Sequence, residues 1–122
     1  MKFTESHEWI EVDAATNIGT VGVTQYAQKE LGEIVYVELP KVGKSVKAGT
    51  EAAVLESTKA AADVYSPVSG SILEVNNRLS TASELVNRSP ETDGWIFKLK
   101  LDDVGELSKL LDEQAYKKIC GC

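Results

Sequence analysis

The chain has 122 residues, 43% of them apolar and 26% charged, a balance that suits one soluble domain with a modest core. Thirteen Lys and Arg against 19 Asp and Glu give a net charge of −6, which argues against nucleic acid or an anionic membrane as partner and permits docking onto basic faces of other proteins. No apolar run approaches membrane-spanning length. The opening Met1-Lys2-Phe3-Thr4-Glu5-Ser6 lacks a signal-peptide core and carries an acid foreign to transit peptides, so the expected address is the cytoplasm, in a bacterium.

In chain order, Glu8 to Val12 and Ile18 to Val23 read as strands joined by a loop at Asp13 to Asn17. Thr24 to Gly32 reads as a short helix, with Thr24 as N-cap, Gly32 in the left-handed position after its end, and Ala27 and Leu31 on one face. Ile34 to Leu39 is a strand closed by Pro40, and Val46 a short strand between Gly43 and Gly49. Ser71 to Asn76 is a further strand. The polar stretch from Asn76 to Ser83 reads as loop, Leu85 to Asn87 as a short strand, and Ser89 to Gly94 as a turn. The clearest strand is Trp95 to Leu101, where Trp95, Phe97, Leu99 and Leu101 alternate with Lys98 and Lys100. Asp103 with Glu106 resembles a capping box, and Leu107, Leu110 and Leu111 then share a helical face. A second cap at Asp112 restarts the helix through Ile119. Many short strands between tight corners predict a mainly β sandwich or flattened barrel with accessory helices.

Between these elements lies Val54-Leu55-Glu56-Ser57-Thr58-Lys59-Ala60-Ala61-Ala62-Asp63-Val64-Tyr65. The alanines favour helix by propensity, and no Asn-Gly or Asp-Gly marks a two-residue turn. The corners at Gly43, Gly49, Pro67 and Gly70 nevertheless leave room only for a short, uncapped helix, so two strands meeting at a tip near Lys59 are expected. The small neighbours Ser57, Thr58, Ala60, Ala61 and Ala62 leave the lysine open to a modifying enzyme. A Schiff-base lysine needs a desolvated amine, and a hairpin tip supplies the opposite environment, so Lys59 reads as an attachment point rather than a nucleophile. No acid pair, nucleophile triad, phosphate loop or metal cluster is recognisable. Cys120 and Cys122 could hold a metal or cycle as a disulfide; too few ligands surround them for structural zinc, and reduced, non-functional thiols are expected. The lone His7 is expected in the packing of its own block.

At Glu56-Ser57-Thr58-Lys59-Ala60, followed by Asp63-Val64-Tyr65-Ser66-Pro67 and Gly70, the chain resembles the lipoylation motif of the H proteins of the glycine cleavage system. Further blocks extend the resemblance over nearly the whole chain: Ser6-His7-Glu8-Trp9, Gly32 to Pro40, Leu85-Val86-Asn87 with Ser89-Pro90, and Asp93-Gly94-Trp95. The resemblance implies a lipoyl/biotinyl-type barrel-sandwich hybrid, one carrier domain over residues 1–122. Its body runs from about Ile18 to Leu101, with a short helix in the N-terminal half and a C-terminal helical segment at 103–119.

It further implies a monomeric, non-catalytic carrier with lipoate in amide linkage to Lys59. The motif residues are Glu56, Ser57, Thr58, Ala60 and Asp63, and no metal takes part. The implied partners are a pyridoxal-phosphate-dependent glycine decarboxylase, a tetrahydrofolate-dependent aminomethyltransferase, dihydrolipoamide dehydrogenase, and the lipoate ligase or lipoyl transferase that loads the lysine. Between partners, the loaded arm would rest in a cleft lined by Ser6, Glu8 and Asp63, where carboxylates and a hydroxyl suit a cationic amine. The acids Glu56, Asp63, Glu8, Glu33 and Glu38 would meet basic surfaces on the ligase and the decarboxylase. Biotin is disfavoured, because Thr58 and Ala60 stand where biotinyl hairpins carry methionine. An H-like lipoate reservoir or signalling carrier would share the motif. The chain departs from many H proteins at Glu30, where they have histidine.

Overall fold

A computed structural model describes residues 1–121. The strands are β1 (Lys2–Phe3), β2 (Glu8–Asp13), β3 (Ile18–Val23), β4 (Ile34–Glu38), β5 (Ser45–Val46), β6 (Glu51–Ser57), β7 (Ala61–Tyr65), β8 (Gly70–Val75) and β9 (Phe97–Leu101). The helices are α1 (Gln25–Leu31), α2 (Leu85–Arg88) and α3 (Glu113–Cys120), with 3-10 turns at Asn77–Ser80 and Val104–Lys109. Two antiparallel sheets result: a six-stranded one in the order β1-β2-β3-β9-β8-β5 and a three-stranded one in the order β4-β6-β7. They face one another without closing into a barrel, so the expected mainly β sandwich hybrid is the architecture. The large sheet takes in β1 and β2, which precede Ile18, together with β3, β5, β8 and β9.

Alternation explains the core. Val21, Ile72, Phe97 and Leu99 from the large sheet meet Val37, Leu55 and Val64 from the small one, all nearly inaccessible. Lys98 and Lys100 take the other side of β9, as the period-2 pattern demands. Trp95 lies before that strand, half-buried, with the Lys98 ammonium 5.1 Å from its ring centre, and Ile96 fills the core instead. A second apolar cluster joins Phe3, Trp9 and Tyr116, through which α3 packs against β1; the rings of Phe3 and Tyr116 stack at 4.6 Å.

Thr24 caps α1 by accepting the Ala27 N–H, and Asp112 caps α3 by accepting that of Ala115. Gly32 closes α1 at φ 81, ψ −156, a glycine-only region other than the left-handed helical one. Gly70 has a different reason. A Cβ there would lie 2.2 Å from the Lys100 carbonyl oxygen, so only glycine lets β8 pair with β9.

Local expectations fail where long-range bonds intervene. Leu85–Arg88 is a helical turn and not a strand, since Val86 points into the core and the Asn87 side chain is drawn to Gly32, Gln28 and Ile34. The stretch after Asn76 is a 3-10 turn with Leu79 buried, capped by the Asn76 side chain. The capping box at Asp103 is half formed. Asp103 accepts from Gly105 N–H, but Glu106 turns to the backbone N–H and hydroxyl of Ser69 on the core side. The three leucines therefore do not share one helix: Leu110 is extended, and Leu111 bridges to Phe3. Cys120 is in a disulfide, so the expectation of reduced thiols does not hold for it; Cys122 lies outside the described residues.

Candidate functional site

Strands β6 and β7 form the expected hairpin with Lys59 exposed in its turn. Among the described residues positive φ is confined, outside glycine, to His7 and Asn17, so this is not a primed hairpin turn. Ser57 supplies what the missing Asn-Gly would have. Its hydroxyl oxygen accepts from the N–H groups of Lys59 and Ala60, both at 3.1 Å, and donates to the Ala60 carbonyl. Ser57 N–H donates to the same carbonyl at 2.8 Å. In the sequence Ser57 stands out as a small neighbour of the lysine and as a motif residue, but not as the residue that closes the turn; the serine turn is a known signal that would have identified that role.

The tip is tied to the end of α1. Thr58 N–H donates to the Glu33 carbonyl at 3.1 Å, and the Lys59 ammonium donates to the Glu30 carbonyl at 3.4 Å. Gly32 is needed for its φ; a Cβ there would lie 3.1 Å from Lys59 Cε, a contact that the exposed, flexible lysine stem relieves by a small shift. Carbonyls at a helix C-terminus attract a cation.

Beside this tip opens a cleft of about 190 Å³ lined by the Ser6-His7-Glu8 segment, Ala27, Glu30 and Leu31 of α1, and Ala62, Asp63 and Val64 of β7. Asp63, remote in the chain from Ser6 and Glu8, thus lines the same space as they do. Their environments differ. Asp63 and Ser6 are exposed, whereas Glu8 is 1% exposed. One Glu8 oxygen accepts from the hydroxyls of Thr4 and Ser6, and the other accepts from the Tyr65 backbone N–H at 3.1 Å. Glu8 therefore bonds the open edge of β7 to the large sheet. Of about four lone-pair directions on a carboxylate, three are taken. Thr4 and Tyr65 were missed by sequence reasoning, because a hydroxyl and a backbone N–H carry no motif.

His7 takes φ 73 and sets its ring centre 4.5 Å from that of Tyr26 of α1, the planes tilted by 33°, with Nδ1 2.7 Å from the Tyr116 hydroxyl of α3. That hydroxyl is also 2.6 Å from Thr24 Oγ1. Burial pushes the Tyr116 phenol above its ordinary value of 10.0, the bond with Thr24 partly opposing this. The Glu30 carboxylate raises the Tyr26 phenol, by its charge first and its hydrogen bond second. Among the described residues the ion pairs are Met1 N-terminus with Glu11 and Lys117 with Glu113, and none involves Glu8, Glu30, Glu56 or Asp63. No group of metal ligands occurs among the described residues.

Two facing sheets that present one open lysine on a tight hairpin define a protein of the lipoyl/biotinyl carrier class. The chain belongs to the glycine cleavage H-protein family, whose model matches residues 1–121. It is 53% identical over 119 residues to a glycine cleavage system H protein of Thermotoga maritima, covering 98% of this chain and 94% of that one. To the H protein of Parvibaculum lavamentivorans it is 52% identical over 118 residues, covering 97% and 93%. A crystal structure of an H protein from Mycobacterium marinum superposes with a TM-score of 0.90 at 34% identity, covering 99% of this chain and 96% of that one.

Proposed function

We propose that Lys59 carries lipoate in amide linkage and that the chain is the lipoyl carrier of glycine cleavage. It would take the aminomethyl group of glycine from a pyridoxal-phosphate-dependent decarboxylase to a tetrahydrofolate-dependent aminomethyltransferase. Dihydrolipoamide dehydrogenase then reoxidises it, and a lipoate ligase or lipoyl transferase loads it, in the cytoplasm. The observation that carries this reading is the exposed Lys59 in a turn closed by Ser57, in a chain of this family. The bound group supplies a dithiolane that accepts the aminomethyl group and cycles to a dithiol.

The chain's own residues hold and shield. The turn leaves the Lys59 amine open to acylation, with Thr58, Ala60 and Ala61 too small to cover it. The cleft has an apolar wall at Val23, Ala27, Leu31 and Leu55 and a polar mouth at Ser6, Glu8 and Asp63, a combination that fits a thioether chain ending in an ammonium. Glu8 has one acceptor direction left for such a cation, and Asp63 is unencumbered. The cleft also restricts water, which would hydrolyse the loaded group. Catalysis belongs to the partners, and this chain tethers and presents.

The test is reconstitution of lipoylated protein with the decarboxylase and labelled bicarbonate. Exchange of label into glycine is expected with the parent and absent with Lys59→Arg. Exchange by an unlipoylated chain, or its absence from the fully lipoylated parent, overturns the reading.

A further inference from the structure

Strand β4 slips register against β6: Ile34 stands opposite Ser57 and Tyr36 opposite Glu56, so Val35 is an extra residue. A regular strand would turn one of Val35 and Tyr36 inward. The bulge leaves both outside, 52% and 53% exposed, between the buried Ile34 and Val37. The cross-strand row Tyr36–Glu56–Ala61 adjoins the Lys59 turn, and Glu38–Val54–Asp63 follows it. Glu33, Glu38, Glu56 and Asp63 are all exposed, and β4, β6 and β7 contain no Lys or Arg. An apolar centre with an acidic rim thus lies beside Lys59.

We propose that this face, anchored on Val35 and Tyr36, is the docking surface for the acyl-transfer enzyme that loads Lys59; the inference rests on the reading of Lys59 as the acylated residue. That enzyme offers an apolar pocket for Tyr36 within a ring of Lys and Arg. Tyrosine is among the residues favoured as interface anchors, and opposite charge at the rim steers encounter. The occupant is the loading enzyme rather than a later partner for a geometric reason. A partner of the loaded protein reacts at the end of a long arm and has no need to touch the tip. The loading enzyme must bring its acyl carbon to bonding distance of Nζ, and so must cover the residues around the turn.

The scaffold fixes that reach. Thr58 N–H is bonded to the Glu33 carbonyl, and Glu33 directly precedes β4, so the Tyr36 anchor and the lysine move as one piece. A partner that seats Tyr36 receives Lys59 at a set distance. In the step itself the neutral Lys59 amine attacks the carbonyl carbon of an acyl adenylate. The C–N bond forms, the C–O bond to phosphate breaks, AMP leaves with that electron pair, and the amine proton passes to solvent.

The experiment measures KM and kcat for lipoylation of the apo protein by purified lipoate ligase with lipoate and ATP. Parent, Tyr36→Ala, Val35→Ser and, on the far sheet, Leu73→Ser are compared; Leu73 is 45% exposed on β8. Tyr36→Ala is expected to raise KM about tenfold and Val35→Ser about threefold, with Leu73→Ser unchanged and all melting as the parent does. Each variant, once lipoylated to completion, is expected to support parental glycine–bicarbonate exchange. Parental KM in Tyr36→Ala, or an equal rise in Leu73→Ser, overturns the docking face while leaving the carrier reading intact. An equal loss of acylation and exchange in Tyr36→Ala overturns the assignment to the loading enzyme. A parent that is never lipoylated at Lys59 overturns the reading beneath it.

Discussion

Lys59 and Glu8 sit at opposite extremes of the same neighbourhood. Lys59 is exposed and its side chain makes one long bond, to the Glu30 carbonyl. Glu8 is 1% exposed, with three donors on its carboxylate, one of them the backbone of the hairpin that presents the lysine. The residue proposed to carry the cofactor is therefore structurally dispensable. The acid proposed to receive its cargo also holds the structure together. Loss of function at Lys59 can be read directly as chemistry, whereas at Glu8 stability must be separated first.

The comparison breaks most visibly at Lys59→Arg. Arginine keeps the charge and cannot form the amide, so intact-mass spectrometry after exposure to a lipoate ligase should show no adduct. Denaturant unfolding should differ from the parent by no more than about 0.5 kcal/mol. A lipoyl adduct on this variant would remove Lys59 from its role.

Glu8→Ala is expected to cost about 3 kcal/mol in the same unfolding measurement, because it removes the buried carboxylate that accepts from the Thr4 and Ser6 hydroxyls and the Tyr65 N–H. A cost under about 0.5 kcal/mol would mean that the carboxylate does not bind the sheets together.

Ser57→Ala removes the acceptor for two N–H groups in a solvated turn and should cost about 1 kcal/mol. Loosened presentation of Lys59 should also slow its acylation, which a ligase time course would detect.

Asp63→Ala sharpens the contrast, since Asp63 lines the cleft without holding it. Stability should stay within about 0.5 kcal/mol of the parent. The aminomethylated protein, kept without the folate enzyme, should release ammonia and formaldehyde several-fold faster. Release at the parental rate would leave Asp63 no part in holding the cargo.

The smallest effect concerns Tyr116. Its folded-state pKa is raised, so the folded form keeps the phenol proton to higher pH than the unfolded chain. The stability associated with that proton is full below pH 10.0 and is lost as pH rises above it through the folded value. Tyr116→Phe should flatten the alkaline part of a stability–pH curve; an unchanged slope above pH 10.0 would contradict this.

By itself the sequence determined what short-range chemistry controls. Alternation marked β9, Thr24 and Asp112 capped their helices as read, and small residues around Lys59 between glycine and proline corners placed the lysine on a hairpin. The Ser6–Trp9 block and Asp63 were legible as motif residues, but the sequence separation of 57 between Glu8 and Tyr65 hides the bond that makes their cleft. Only the tertiary structure decided that Asn87 would pull its segment into a helical turn, that Ser69 would take Glu106 from its capping box, and that a bulge would expose Val35 beside Tyr36. In each case the deciding partner is remote in the chain or set by strand register. A hydrogen bond satisfied across the fold outweighs a few tenths of a kcal/mol of local preference, and local sequence carries no record of which remote group will supply it.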